Sequence, residues 1–321
     1  MNRLLRAAAL SATLGLLTAF GAAAQTFTKP IRVIVPYPAG DLADTIGRLL
    51  APKLRDSLGQ PIVIENRPGA SGLLGLQTAL QGENDGHTFV LGQMGSMAVA
   101  PITNKQPFDV RTEFVPVAMA YTNYMLIVAN PSVPAKNLPE LIAYSKSRPG
   151  ELKLATNGEG GFPHLAMELL KDRSGLDFVH VPYKGSGQPV TDVIAGHVGF
   201  TVAGFSSVYP HVTNGRVVPI AITGKARTPN APNVPTVGEA VPGYEALGWF
   251  GYFAPKGIAP ATVAAFNTAV NTALKMPDIQ QRAEQLGLDT APATPAQFAA
   301  VWREDYDKWA KQIRALKLEA K

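Results

Sequence analysis

The sequence of 321 residues contains no cysteine, which excludes disulfides, thiol nucleophiles and thiolate metal sites. It also contains no Gly-x-Ser-x-Gly turn of the serine hydrolases and no complete phosphate-binding or dinucleotide-binding glycine motif. The five histidines have no metal-ligand spacing between them or to a pair of carboxylates. We therefore expect no cofactor and no bound metal, and no local signature points to an enzyme.

Charged residues are few and scattered. They make up 17% of the chain, and the formal net charge is only +5. Nucleic-acid binding requires basic residues clustered on one face, so we expect no nucleic-acid partner. A weak positive field of this kind would at most help to recruit small anions.

Long apolar runs are missing except at the N-terminus. There, Arg3 and Arg6 precede an uncharged stretch over 7–20, and three alanines end at Ala24. This order predicts a cleaved export signal over residues 1–24. The apolar core is shorter than the ~20 residues that a membrane-spanning helix needs. The remaining 297 of the 321 residues suffice for two domains.

Short β-branched runs alternate with segments of helical spacing from residue 31 to about 225. This alternation is typical of an α/β protein and predicts right-handed βαβ units with mainly parallel sheets. The longer runs Val115–Ala129 and Trp249–Phe253 are predicted to cross between two domains. The last third is predicted to be helical, and Thr294 and Gln297 form a capping box at the start of its final helix.

The motif Val-Pro-Tyr occurs twice, each time between a predicted strand and a glycine-containing loop that leads into a predicted helix. The first copy includes Tyr37 and Gly40, and the second includes Tyr183 and Gly185. A helix that begins this way leaves its first N–H groups unpaired, and these favour an anion. The pair predicts a cleft that holds one acidic ligand from both sides.

The sequence resembles the periplasmic solute-binding proteins of tripartite tricarboxylate transporters, often called Bug proteins. The similarity extends from about residue 29 to the C-terminus. It rests on ordered motifs that span the chain: Lys29–Gly40 with Asp44, Val63–Gly72, Asp85–Thr88, His164–Ala166, Val179–Gly185 with Asp192, Asn233–Ala240 and Trp249–Gly251.

This resemblance implies a type II periplasmic binding protein fold, in which two α/β domains are joined by crossing hinge strands. The first domain would comprise 25–122 plus 246–321, and the second 123–245. The protein would be a monomeric periplasmic receptor that passes a small organic carboxylate to membrane transporter subunits. The expected ligand-binding residues are Tyr37, Ala39, Gly40, Asp41, Leu42, Gln93, Ser96, Thr156, Asn157, Glu159, Phe162, His164, Tyr183, Lys184, Gly185, Ala203 and Gly204.

Some expected site residues depart from the pattern of this family. Asp41 stands where a second glycine is frequent, and Glu159 replaces a neutral polar residue. Met94, Phe162 and Ala203 would give the site an apolar wall suited to an aromatic or amphipathic acid. An unpaired carboxylate beside a ligand carboxylate is costly. Either the two acids face solvent, or they bind an amine or a neutral donor on the ligand. A secreted enzyme that uses these acids is a third hypothesis.

Overall fold

The computed structural model describes residues 27–183 and 187–320, so the predicted signal at 1–24 lies outside the described residues. The strands are β1 Ile31–Val35, β2 Ile62–Asn66, β3 Thr88–Gln93, β4 Phe114–Asn123, β5 Met125–Ala129, β6 Lys153–Thr156, β7 Val179–Pro182, β8 Phe200–Gly204, β9 Val218–Ile222, β10 Gly248–Pro255 and β11 Leu288–Thr290.

Most of the helices follow a strand. They are α1 Leu42–Leu58, α2 Leu73–Leu80, α3 Ala100–Thr103, α4 Val110–Glu113, α5 Leu138–Ser147, α6 Phe162–Ser174, α7 Gly187–Ala195, α8 Phe205–Thr213, α9 Val237–Ala240, α10 Pro260–Ala273, α11 Pro277–Gln285 and α12 Pro295–Ala315. A π-helical turn, Gly95–Val99, leads into α3. Within the described range, the apolar stretches of these helices are all too short to cross a membrane.

The strands form two sheets. The first has the order β11-β4-β10-β3-β1-β2 and the second the order β7-β6-β8-β5-β9. Strands β1, β2 and β3 run parallel, as do β6, β7 and β8. The carboxyl ends of these parallel strands precede the loops that form the cleft described below.

The prediction of mainly parallel sheets needs correction, because both sheets are mixed. Strand β10 runs antiparallel to β3 and β4, and β5 runs antiparallel to β8 and β9. The predicted run Val115–Ala129 is two strands, β4 in the first sheet and β5 in the second, separated by Tyr124. A chain that crosses to the second sheet and later returns must reverse direction, so β10 pairs antiparallel with β4. The proposed domain boundaries remain a prediction.

The last helix, α12, packs against both halves of the molecule. Near its start, Trp302 donates a hydrogen bond from Nε1 to the carbonyl of Met97, at 2.8 Å, and Asp305 accepts one from Trp249 Nε1, also at 2.8 Å. Near its end, Gln312 Nε2 donates to Asp172 of α6 at 3.0 Å. The predicted capping box at Thr294 is confirmed.

We expect Gly251→Ala to destabilise the fold where α12 packs on β10. A methyl group at Gly251 would lie 2.6 Å from Phe298 Cε1 and 3.0 Å from the backbone oxygen of Ala118. Overpacking of this kind costs about 1–3 kcal/mol. Urea unfolding should therefore show a lower midpoint for this variant. The control is Gly82→Ala, whose new methyl group would have no neighbour closer than 3.5 Å. Equal midpoints for the two variants would contradict the packing argument.

Candidate functional site

A cleft with a volume of about 650 Å³ lies between the two sheets. Its lining comes from the loops after β1, β3, β6 and β8 and from the crossing strands. Of the residues expected from the sequence, the following line it: Tyr37, Asp41, Leu42, Gln93, Asn157, Glu159, Phe162, Ala203 and Gly204.

The remaining expected residues lie elsewhere. Ala39 and Gly40 are exposed in the β1–α1 loop, and Ser96, Thr156 and His164 are buried behind the cleft wall. None of these is among the described lining residues, nor is Tyr183. Lys184 and Gly185 lie outside the described residues, so their role stays a prediction.

The sequence predicts that the loop between β1 and α1 offers free N–H groups to an anion. Instead, the chain's own carboxylates occupy two of these N–H groups. Asp41 is the N-cap of α1 and accepts a hydrogen bond from the backbone N–H of Ala43 at 2.9 Å. The N–H of Gly40 donates to Asp44 Oδ2 at 2.9 Å. The sequence identified both acids, but the capping depends on the backbone angles of Asp41, which spacing alone does not define.

The two acids of this loop differ in their electrostatics. Burial raises the pKa of Asp41, and the neighbouring charge of Asp44 adds to this, although the Ala43 N–H opposes it. Burial alone would also raise the pKa of Asp44, but hydrogen bonds from Arg48, Gly40 and Asn66 lower it. Asp44 is only 4% exposed, and the hydrogen bonds that it accepts hold the loop in place. Asp41, in contrast, lies at the edge of the cleft.

Tyr37 lines the cleft beside the turn after β3. Burial raises its pKa to about 12, although polar contacts with Ser96 and Gln93 oppose the shift. Ser96 is fully buried; its hydroxyl donates to the carbonyl of Gln93 at 3.1 Å and accepts from the Gln93 N–H at 3.3 Å. Ser96 therefore holds this turn together, and Tyr37 and Gln93 present polar groups to the cleft.

The loop 157–161 forms the opposite wall and precedes α6. Asn157 and Glu159 on this loop are exposed and also line the cleft. Behind them, His164 accepts a hydrogen bond at Nδ1 from the N–H of Gly160, at 3.0 Å. His164 thus fixes the loop from inside and lies away from the cleft surface.

In the second Val-Pro-Tyr loop, Tyr183 is committed to an internal contact. Its hydroxyl donates to Asp192 of α7 at 2.7 Å. This hydrogen bond to a carboxylate, together with burial and the charge of Asp192, raises the pKa of Tyr183 to about 12.

Two helix N-termini facing the cleft keep donors that the first loop has lost. Helices α6 and α8 begin after Gly161 and Gly204, both of which line the cleft. Among the described residues, no side chain caps either terminus. The Phe205 N–H of α8 already donates to the carbonyl of Tyr124 at 3.4 Å, and Pro163 of α6 has no N–H. The other N–H groups of these first turns, together with the helix dipoles, favour an anion. The sequence did not predict α8, because Pro210 and aromatic or β-branched residues obscure its helical pattern.

The cleft combines these donors with acidic and apolar side chains. Its described lining contains two carboxylates, Asp41 and Glu159, and no Lys, Arg or His. Met94 and Phe162 add the predicted apolar surface. The polar lining residues that the sequence analysis missed are Ser71, Thr103, Asn104, Asn123, Thr201 and Ser207. For Asn123, the position at the end of β4 is a signal that could have revealed it.

The described residues contain no group of three or more His, Asp or Glu side chains that could hold a metal ion. The donors at the site are mainly backbone N–H groups and uncharged side chains. Such an arrangement can bind a small polar ligand non-covalently.

We expect Asp44→Asn to destabilise the protein at neutral pH, because the amide cannot accept charge-assisted hydrogen bonds from Arg48 and Gly40. The expected loss is about 1.5–3 kcal/mol in the free energy of unfolding, measured with urea. Since folding lowers the pKa of Asp44 from 3.8, its contribution is present above that pH and is lost as the pH falls through the folded value. The difference in the free energy of unfolding between the native protein and Asp44→Asn should therefore become smaller in acid.

The control for this prediction is Asp56→Asn on the same helix, where the carboxylate is 64% exposed and pairs only with Arg55 among the described residues. A loss of stability as large in this control would show that Asp44 has no special role in the loop.

Comparison with known proteins agrees with this geometry. The family model described as a tripartite tricarboxylate transporter family receptor matches residues 46–318. Protein BugT of Bordetella pertussis is 35% identical over 289 residues, which cover 89% of this chain and 89% of BugT.

Two solved structures from Rhodopseudomonas palustris are also similar. One, with adipate, is 29% identical with a TM-score of 0.78 and covers 92% of this chain and 99% of its own. The other, MatC with bound malate, is 30% identical with a TM-score of 0.73. The match covers 89% of this chain and 99% of the MatC chain.

These matches confirm the resemblance and the periplasmic binding protein fold that the sequence predicted. They also agree with the prediction that the chain is a receptor and not an enzyme. The chain belongs to the tripartite tricarboxylate transporter family of receptors.

Proposed function

We propose that this protein is a periplasmic receptor that captures a small organic carboxylate, aromatic or amphipathic in character, and delivers it to the membrane subunits of a tripartite transporter. The observation that carries the proposal is the pair of uncapped helix N-termini, α6 and α8, that face one cleft of about 650 Å³. This volume is typical of sites for small molecules. Delivery and the periplasmic location rest on the family and on the expected export signal.

The carboxylate class is supported by the electrostatics of the cleft and by the relatives. Backbone N–H groups at a helix N-terminus bind a carboxylate without the desolvation cost of a buried lysine or arginine. The Rhodopseudomonas palustris structures hold adipate and malate. In this chain, Met94 and Phe162 line the same cleft and favour a ligand with an apolar or aromatic portion.

We expect a panel of mono-, di- and tricarboxylates and aromatic acids to contain a compound that raises the melting temperature. Ligand at a hundredfold excess over its dissociation constant should stabilise the protein by about 2.7 kcal/mol. The panel includes amino acids, amides and amines of matched size as controls. A panel in which only uncharged amides stabilise the protein would overturn the carboxylate proposal.

A second candidate is the same receptor with a ligand that presents an amine or a neutral donor to Asp41 or Glu159. The observation in its favour is that both carboxylates line the cleft, while no cationic side chain does so among the described residues. Asp41 already accepts the Ala43 N–H with Oδ1, and its other oxygen can accept from a ligand.

Asp41→Asn and Glu159→Gln separate the two candidates. If either acid accepts a hydrogen bond from a ligand amine, its amide variant should bind that ligand about tenfold or more weakly in calorimetry, since hydrogen bonds to charged groups contribute about 1.5–3 kcal/mol. The matched control is Glu304→Gln, on the exposed face of α12. Unchanged affinity in both amide variants would dismiss the second candidate.

A further inference from the structure

Two histidines are stacked directly behind the loop 157–161, which lines the cleft. His164 belongs to α6 and His180 to β7, and their ring centroids lie 3.8 Å apart with an interplanar angle of 9°. His164 is only 5% exposed. Face-to-face imidazoles at this distance are compatible with two neutral rings and disfavour two charged ones.

Each ring is connected to the cleft loop by hydrogen bonds. His164 Nδ1 accepts the N–H of Gly160 at 3.0 Å. His180 Nε2 lies 2.6 Å from Thr156 Oγ1, which in turn donates to the carbonyl of Gly158 at 3.2 Å. The loop is therefore held at two points, and each point depends on an imidazole.

The hydrogen bonds assign the protonation state of His164. Because the Gly160 N–H donates to Nδ1, that nitrogen carries no proton, and the ring is neutral with its proton on Nε2. Nε2 lies 3.5 Å from Glu168 Oε1 on the next turn of α6. Burial, with the proximity of His164, lowers the pKa of His180 to about 4, so this ring is also neutral at neutral pH.

The charged groups around the pair act in opposite directions. Glu168 favours a protonated imidazole on either ring, and each ring disfavours a proton on the other. Burial acts to raise the pKa of Glu168. The proximity of His164 and the charge of Lys171 outweigh this effect and keep the pKa of Glu168 below its ordinary value. Glu168 can neutralise the charge of a protonated His164, but it cannot replace the hydrogen bond to Gly160.

We propose that His164 is a positioning residue for ligand binding, and that its protonation releases the loop 157–161 and weakens binding in acid. A proton added to neutral His164 has to go to Nδ1, which turns the acceptor of the Gly160 N–H into a second donor. The held loop therefore binds fewer protons than the released loop, so a falling pH favours release. The effect on ligand affinity rests on the proposed function, whereas the effect on the loop does not.

The first test needs no ligand. Hydrogen exchange is measured for the peptide that contains Gly160, in protein purified from the periplasm of an expression host, at about pH 7.5 and about pH 5, the range over which histidine titrates. After correction for the intrinsic exchange rate, the protection of this peptide should fall by about tenfold in acid, which corresponds to about 1.4 kcal/mol.

Variants of His164 define the cause. In His164→Asn, Oδ1 takes the place of Nδ1 and cannot titrate, so protection should be the same at both pH values. In His164→Ala, protection should be low at both pH values. The control is His211→Asn, in the last turn of α8, which should behave like the native protein. If His164→Asn keeps the native pH dependence, or if native protection does not change with pH, the proposal is wrong.

Glu168→Gln provides a second variant that does not depend on the His164 substitutions folding. Without the carboxylate, a protonated His164 loses its counterion, so the loss of protection should move to lower pH. If the pH at which half of the protection is lost is the same in Glu168→Gln as in the native protein, the assigned role of His164 is contradicted.

The second test measures the affinity for adipate and malate by calorimetry at the same two pH values. For either compound that binds, native affinity should fall by about tenfold in acid while His164→Asn affinity does not, because the variant keeps the loop hydrogen bond. If neither compound binds, the proposed carboxylate function is weakened, and the exchange experiment still decides whether His164 positions the loop.

Discussion

The antiparallel pairing of β10 with β4 is the constraint on which the rest of the structure depends. Gly248 of β10 lies opposite Asn123 of β4, at the point where the chain has left the first sheet and to which it returns. Because the two sheets are joined at this pair, the carboxyl ends of their parallel strands can face a common cleft. Asn123 and Gly248 themselves line that cleft, so the join is also part of the candidate site.

The cleft obtains its polarity from the backbone more than from charged side chains. The N-termini of α6 and α8 supply donors from the second half, while the corresponding terminus of α1 is capped by Asp41. The two walls therefore differ: the wall of the second half combines two helix N-termini with the carboxylate of Glu159, whereas the other wall presents Asp41, a carboxylate with a raised pKa. A ligand that carries its carboxylate at one end and an apolar or donor group at the other satisfies both walls.

The sequence predicted the regular elements well where local signals agree. Leu138–Ser147 and the capped helix after Thr294 have both periodicity and start signals, and their starts match the structure. It failed where tertiary contacts decide, as in α8, and in the sheets, whose strand directions depend on the crossing path. For the site, the family resemblance singled out Asp41 and His164 but could not show that one caps a helix and the other stacks on His180, since both facts depend on the folded backbone.

Helix α12 connects the cleft with the packing of the whole molecule. Phe162 lines the cleft, and its ring also packs edge-on against Trp309 of α12, with centroids 5.5 Å apart. The first half of the same helix is anchored to the first sheet through Trp249 and Asp305. A movement of the second domain relative to the first must therefore change the Phe162–Trp309 contact or pivot about it. Under the proposed function, a ligand that packs on Phe162 would favour one position of this ring, and this would couple binding to the relative position of the two halves through α12.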